Sequence, residues 1–139
     1  MADITIGSNG ISLVHADEAE IFDMKAAEAI TAGQPVYITT AGKAGVADAN
    51  AAGKQQFRGI ALRGVAAGEI VPVLKCGFLS GYDLSGVAYD GPVYLSDTAG
   101  SLADAAGTMT VNCGRVFQKT NPDLTKILYV EADWLRAWS

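Results

Sequence analysis

The tripeptide Pro-Val-Tyr occurs twice, at Pro35–Tyr37 and Pro92–Tyr94, 57 positions apart, and each copy sits in the same local context. The first reads Ala32-Gly33-Gln34-Pro35-Val36-Tyr37-Ile38-Thr39-Thr40-Ala41-Gly42, the second Tyr89-Asp90-Gly91-Pro92-Val93-Tyr94-Leu95-Ser96-Asp97-Thr98-Ala99-Gly100. A Gly/Pro turn opens each copy, because proline presets φ and glycine permits positive φ. A short β-branched and aromatic run follows, and Ala-Gly closes it with a second turn. The chain thus uses one strand bounded by turns twice, with strands predicted at Val36–Thr39 and Val93–Ser96.

The duplication continues downstream. Phe57-Arg58-Gly59-Ile60-Ala61 has its counterpart in Asn112-Cys113-Gly114-Arg115-Val116, with Gly59 and Gly114 in register. Each half closes on an apolar run, Ile70–Leu74 in the first and Ile127–Val130 in the second. Two such units are too few and too long for an open solenoid of short repeats. They predict one all-β domain over residues 19–139, a small β-barrel or sandwich of two pseudo-repeated halves (32–74 and 89–130). At most one short helix is expected, and residues 1–18 form an extended N-terminal arm.

The pattern A-G-x-P-V-Y-[IL]-[ST], a Gly-rich hairpin, an isolated G-x-[AV] step and a closing apolar strand resemble the small decoration, or cement, proteins of tailed-phage capsids. The residues that carry the resemblance are Ala32–Thr40, Gly59–Ala61, Gly91–Ser96 and Gly114–Val116. The resemblance implies a structural virion protein on the outer capsid surface. It implies the major capsid protein as partner, a homotrimer, stabilisation of the head, and no enzymatic activity or cofactor. Two other classes stay open from the residues: another virion β module, such as a tail-tube or fibre component, and a small-ligand or carrier β domain.

Composition is compatible with a structural role. Half of the 139 residues are hydrophobic and 16 are glycine. Alanine is the commonest apolar residue and buries little area, so a thin core is expected, one that gains from oligomerisation. The net charge is −5, with ten basic residues scattered singly. Nucleic-acid binding needs a basic face to displace counterions, and an anionic membrane repels an acidic protein; neither is expected as a partner. Met1–Thr5 lacks the basic and apolar regions of a signal peptide, so synthesis and folding in a host cytoplasm are expected, with Cys76 and Cys113 reduced.

Along the chain, Asn9-Gly10 is a strong hairpin-turn signal between the partly alternating Ile4-Ile6 and Ile11-Leu13. The arm they lie in is expected to stay off the main core, leaving Ile4, Ile6, Ile11 and Leu13 as partner contacts. A strand is predicted over 20–25, then a single helical turn to Ile30. Lys43–Gln56 and Ser101–Thr110 read as surface loops that emerge on one side of the domain. Pro72 lacks a ladder donor and is expected at an edge or bulge, and 77–82 reads as the link between halves. Trp134 and Trp138 stand i, i+4, sharing one face of a helical turn, either plugging an open end of the barrel or anchoring a contact between subunits.

Catalytic patterns are absent. His15 is the only histidine and lies in the arm, away from any nucleophile-bearing turn. Two cysteines with one histidine do not make a tetrahedral zinc site. Gly42-Lys43 and Gly53-Lys54 lack the upstream glycine and following Ser/Thr of a phosphate loop. Lys75, near the end of an apolar run, is the residue on which the carrier alternative turns.

Overall fold

In the computed structural model, which describes residues 2–119 and 125–139, the chain is all-β: eleven strands and a single 3-10 turn at Ala16–Glu18. The strands form one continuous sheet curled into an open half-barrel. The first half of the repeat supplies β4 (Pro35–Ile38), β5 (Ala44–Val46), β6 (Gly59–Ala61) and β7 (Ile70–Ser80). The second half supplies β8 (Pro92–Leu95), β9 (Leu102–Ala103), β10 (Asn112–Lys119) and β11 (Thr125–Glu131).

The two halves have the same strand order, β5-β4-β6-β7 and β9-β8-β10-β11, and the same register. Val36 pairs with Gly59 as Val93 pairs with Gly114, and Tyr37 with Gly45 as Tyr94 with Ala103. Ile60–Leu74 and Ala61–Val73 match Arg115–Tyr129 and Val116–Leu128. The turns match too. Gly33 (φ 91°) and Asp90 (φ 62°) occupy the same left-handed position, and Gly42 (φ 84°) matches Gly100 (φ 77°). The Gly33 amide donates to the Ala61 carbonyl at 2.8 Å, as the Asp90 amide does to Val116 at 2.8 Å.

A physical reason underlies the shared glycines. A Cβ on Gly59 would stand 2.6 Å from the Leu74 carbonyl oxygen, and one on Gly114 would stand 2.0 Å from that of Tyr129. Leu74 and Tyr129 are themselves equivalent, so in both halves the neighbouring strand presses on the same backbone position.

The halves join through β7. Its residues 73–74 pair with β6 and its residues 76–79 with β11, along one edge. The opposite edge carries β3 (Glu20–Lys25) and then β2 (Ser12–Val14). A bulge at Lys75 interrupts the β3 register, where Glu20 opposes Cys76 and Ile21 opposes Leu74. The stretch expected to link the halves, 77–82, is therefore mostly strand, as β7 runs on to Ser80. Pro72 is not at an edge: β3 lies on one side and the Leu62 amide donates to its carbonyl at 2.9 Å on the other. Its missing N–H leaves only the reciprocal bond to Leu62 unmade, one residue past the end of β6.

The strand predicted over 20–25 is β3, with the same bounds. The helical turn to Ile30 is a correction. Ala26 and Ile30 are buried and make single bridges to Ala44 and Val65, so long-range pairing overrides local helix propensity there. The loops are also more ordered than expected. Lys43–Gln56 contains β5 and buries Ala44, Ala47 and Ala49, and Ser101–Thr110 contains β9. They do meet: the Met109 amide donates to the Ala49 carbonyl at 3.0 Å. The core divides into two clusters. The smaller, of Ala26, Ile30, Val36, Ala44, Ala61, Val65, Val71 and Val73, belongs to the first half. The larger surrounds Phe57, Leu79, Leu95 and Leu128.

Candidate functional site

The arm does not stand away from the domain, and this corrects the expectation. β1 (Asp3–Ile4) pairs with β9, burying Ile4 in the larger core cluster. Ile6 forms a bridge with Tyr82 and lies across Gly33, remaining 39 % exposed. Ile11 and Leu13 are half-buried against the same core, Leu13 within β2. The Asn9-Gly10 signal does produce a turn, in which the Gly10 amide donates to Gly7 at 3.0 Å. It is not a hairpin, because both flanks pair with 78–82 instead of with each other. Of the four arm residues expected to touch a partner, only Ile6 keeps substantial exposed surface.

Polar contacts latch the arm as well. The Ala2 amide donates to the Asp104 carboxylate at 2.8 Å, and the fully buried Ser96 hydroxyl donates to the Asp3 carboxylate. A buried hydroxyl needs such a partner.

The C-terminal tryptophans form no helical turn. After β11 the chain makes one turn at Trp134-Leu135 and runs across the segment before β6. Trp134 Nε1 donates to the Arg58 carbonyl at 2.7 Å, and its ring packs on Phe22 with 4.9 Å between centroids. Lys75 Nζ lies 5.2 Å over the same ring. Trp138 is clasped by Gln55 and Gln56, whose side-chain amides both donate to its carbonyl at 3.0 and 2.9 Å, while its own amide donates to Gln56 Oε1. Both rings are half-buried against their own chain. Trp134→Ala should cost about 2 kcal/mol, less than a fully buried aromatic, and Trp134→Phe about 1 kcal/mol through the lost hydrogen bond. Thermal melting of the two variants checks the order.

Sequence reasoning missed an aromatic array on the outer face of the sheet, because its members are scattered over three strands. Phe78 of β7 contacts Tyr129 of β11 at 5.1 Å and Phe117 of β10 at 5.3 Å, and His15 meets it edge-on at 5.4 Å. Tyr129 donates to Glu131 at 2.5 Å and touches Cys76 Sγ at 3.6 Å. The hydrogen bond to Glu131 holds the Tyr129 phenol well above its usual range. Burial does the same for Tyr82 and for the Cys113 thiol.

Among the described residues, no group of three or more His, Cys, Asp or Glu side chains could hold a metal ion, and no helix is long and apolar enough to cross a membrane. Lys75 lies inside β7, ion-paired with Glu20 at 3.3 Å. One edge of the sheet is formed by β3. Among the described residues it pairs with β7 alone, and its Ile21 and Phe22 are 41 % and 43 % exposed. An edge strand presenting large apolar side chains is a template for pairing with another chain. No family model, no curated protein and no solved structure matches this chain.

Proposed function

We propose that the protein is a structural module that attaches to the outside of a phage capsid and stabilises the head. The observation that carries this reading is the doubled four-stranded unit, in which both Pro-Val-Tyr strands and both pressed glycines hold equivalent places. The same residues carry the resemblance to capsid decoration proteins. Part of the exposed apolar surface, Ile21 and Phe22, lies along an exposed strand edge, which suits attachment. In this reading the protein binds the major capsid protein, acts as a homotrimer, and needs neither cofactor nor turnover. Added contacts across junctions between capsid subunits oppose the outward pressure of packaged DNA, and the net charge of −5 suits a position away from that DNA.

The test is co-sedimentation of the purified protein with undecorated, expanded heads, followed by heating of the loaded particles. Saturable binding and a raised rupture temperature are expected. Failure to bind heads, or a saturable turnover abolished by one substitution, overturns the reading.

A further inference from the structure

The open edge of β3 has its hydrogen-bonding groups assigned by the ladder. Asp23 stands opposite Pro72, whose carbonyl accepts from Leu62 on the far edge of β7. In an antiparallel ladder the N–H and C=O of one residue point the same way. Asp23 and Pro72 are therefore a non-hydrogen-bonded pair, and the Asp23 N–H and C=O face away from β7. By alternation those of Ile21 and Lys25 do the same. The Ala26 amide, which donates to Glu69 at 2.8 Å, fixes the opposite phase for Phe22 and Met24.

The other edge strands β1, β2 and β5 are shorter. β5 is flanked by the Ala26–Ala44 bridge, and its Val46 amide donates to Glu28 at 3.1 Å. β1 is only two residues long. β3 is six residues long and contains no proline. Natural edge strands of this length usually carry a device that blocks pairing; β3 has a bulge at its start and charges at Glu20, Asp23 and Lys25, yet leaves Ile21 and Phe22 exposed beside them.

Charge narrows the occupant. Asp17, Glu18, Glu20 and Asp23 are all exposed along the 3-10 turn and β3, against Lys25 alone on the same stretch. A second copy would bring a stretch of the same net acidic charge against this one, which a basic strand avoids. We infer that β3 accepts an extended segment of another polypeptide, alternating apolar and basic residues, as an added antiparallel strand. Main-chain bonds to Ile21, Asp23 and Lys25 supply affinity, and the acidic side chains select a basic strand. The inference deepens the attachment reading and rests on it. The two fail separately, because strand capture is measured without any particle.

The probe is a fluorescein-labelled ten-residue peptide of alternating valine and lysine, followed by anisotropy, with an alternating glycine–lysine peptide as the charge control. Saturable binding of the first peptide and much weaker binding of the second are expected. Asp23→Pro removes an outward N–H without touching the β7 ladder, and should weaken binding about tenfold or more. Asp23→Asn keeps the N–H and should weaken it only a few-fold. In the unaltered protein, hydrogen exchange at Ile21, Asp23 and Lys25 should slow when the peptide is added, which tests the inference even if the proline variant fails to fold. Equal binding of both peptides, unchanged binding by Asp23→Pro, or no added protection at these amides overturns it. So does a wild-type dimer that Asp23→Pro converts to monomer, since the occupant is then a second copy.

Discussion

Deleting residues 2–12 should destabilise the protein by about 4 kcal/mol or more, a large share of the ~5–15 kcal/mol that holds a domain of this size together. Three losses add. Ile4 leaves the core, worth about 2 kcal/mol of apolar burial. The buried Ser96 hydroxyl keeps the bond it accepts from the Thr98 amide at 2.9 Å but loses Asp3 as acceptor, and a buried donor left unpaired costs about 1–3 kcal/mol. Leu102 and Ala103, at 1 % and 0 % exposure, lose the strand that covers their edge. The Gly7 amide bond to the Gly81 carbonyl at 2.7 Å goes as well. Denaturant unfolding followed by tryptophan fluorescence measures the effect, with Ile4→Ala and Asp3→Ala to separate burial from the polar latch. Ile4→Ala should cost about 2–3 kcal/mol, and Asp3→Ala about 1–2 kcal/mol. A truncated protein that unfolds at the same denaturant concentration as the full chain would show that the arm contributes nothing to the domain. Because the deletion acts through folding, any loss of head binding it causes does not identify the arm as the attachment surface.

Gly114→Ala and Gly59→Ala should each cost about 3 kcal/mol, and by the same mechanism. At Gly114 the added methyl meets the Tyr129 carbonyl oxygen at 2.0 Å and Leu128 Cδ1 at 3.3 Å. At Gly59 it meets Val73 Cγ1 at 2.5 Å and the Leu74 carbonyl at 2.6 Å, and the backbone there has φ 154°, which side chains rarely adopt. Ladder backbone stands within 2.6 Å in both cases, at Gly59 just behind the buried Val73 methyl, so full relief requires moving β11 or β7 itself. Gly86→Ala is the control: its nearest neighbour is Asp104 Oδ2 at 3.8 Å, and the change should be close to neutral. Melting temperatures should fall by roughly 10 °C for the first two variants and hardly at all for the third. If Gly114→Ala melts like the control, the close approach of the two strands is wrong, and the physical basis for the repeated glycine goes with it.

Much of the architecture could be read in the residues because its signals are local. The Pro-Val-Tyr strands, their Gly and Asp turns and the β3 alternation all depend on neighbours a few positions away, and a repeated local pattern made a repeated fold the economical solution. The offset between Gly59 and Gly114 even carried the register, since glycine is required where two backbones nearly touch. What the tertiary structure alone decided is non-local. Whether Ile4 and Leu13 wait for a partner or fill their own core depends on Leu102 and Leu79, some 98 and 66 positions away. Ala26–Ile30 has helical propensity, yet bridges to Ala44 and Val65 outweigh it. Trp134 and Trp138, spaced for a helix, were drawn into extended contacts by the Arg58 carbonyl and by Gln55 and Gln56. The open edge of β3 was invisible for the same reason: a strand's own residues set its pattern, but only the rest of the sheet sets which of its edges is left unpaired.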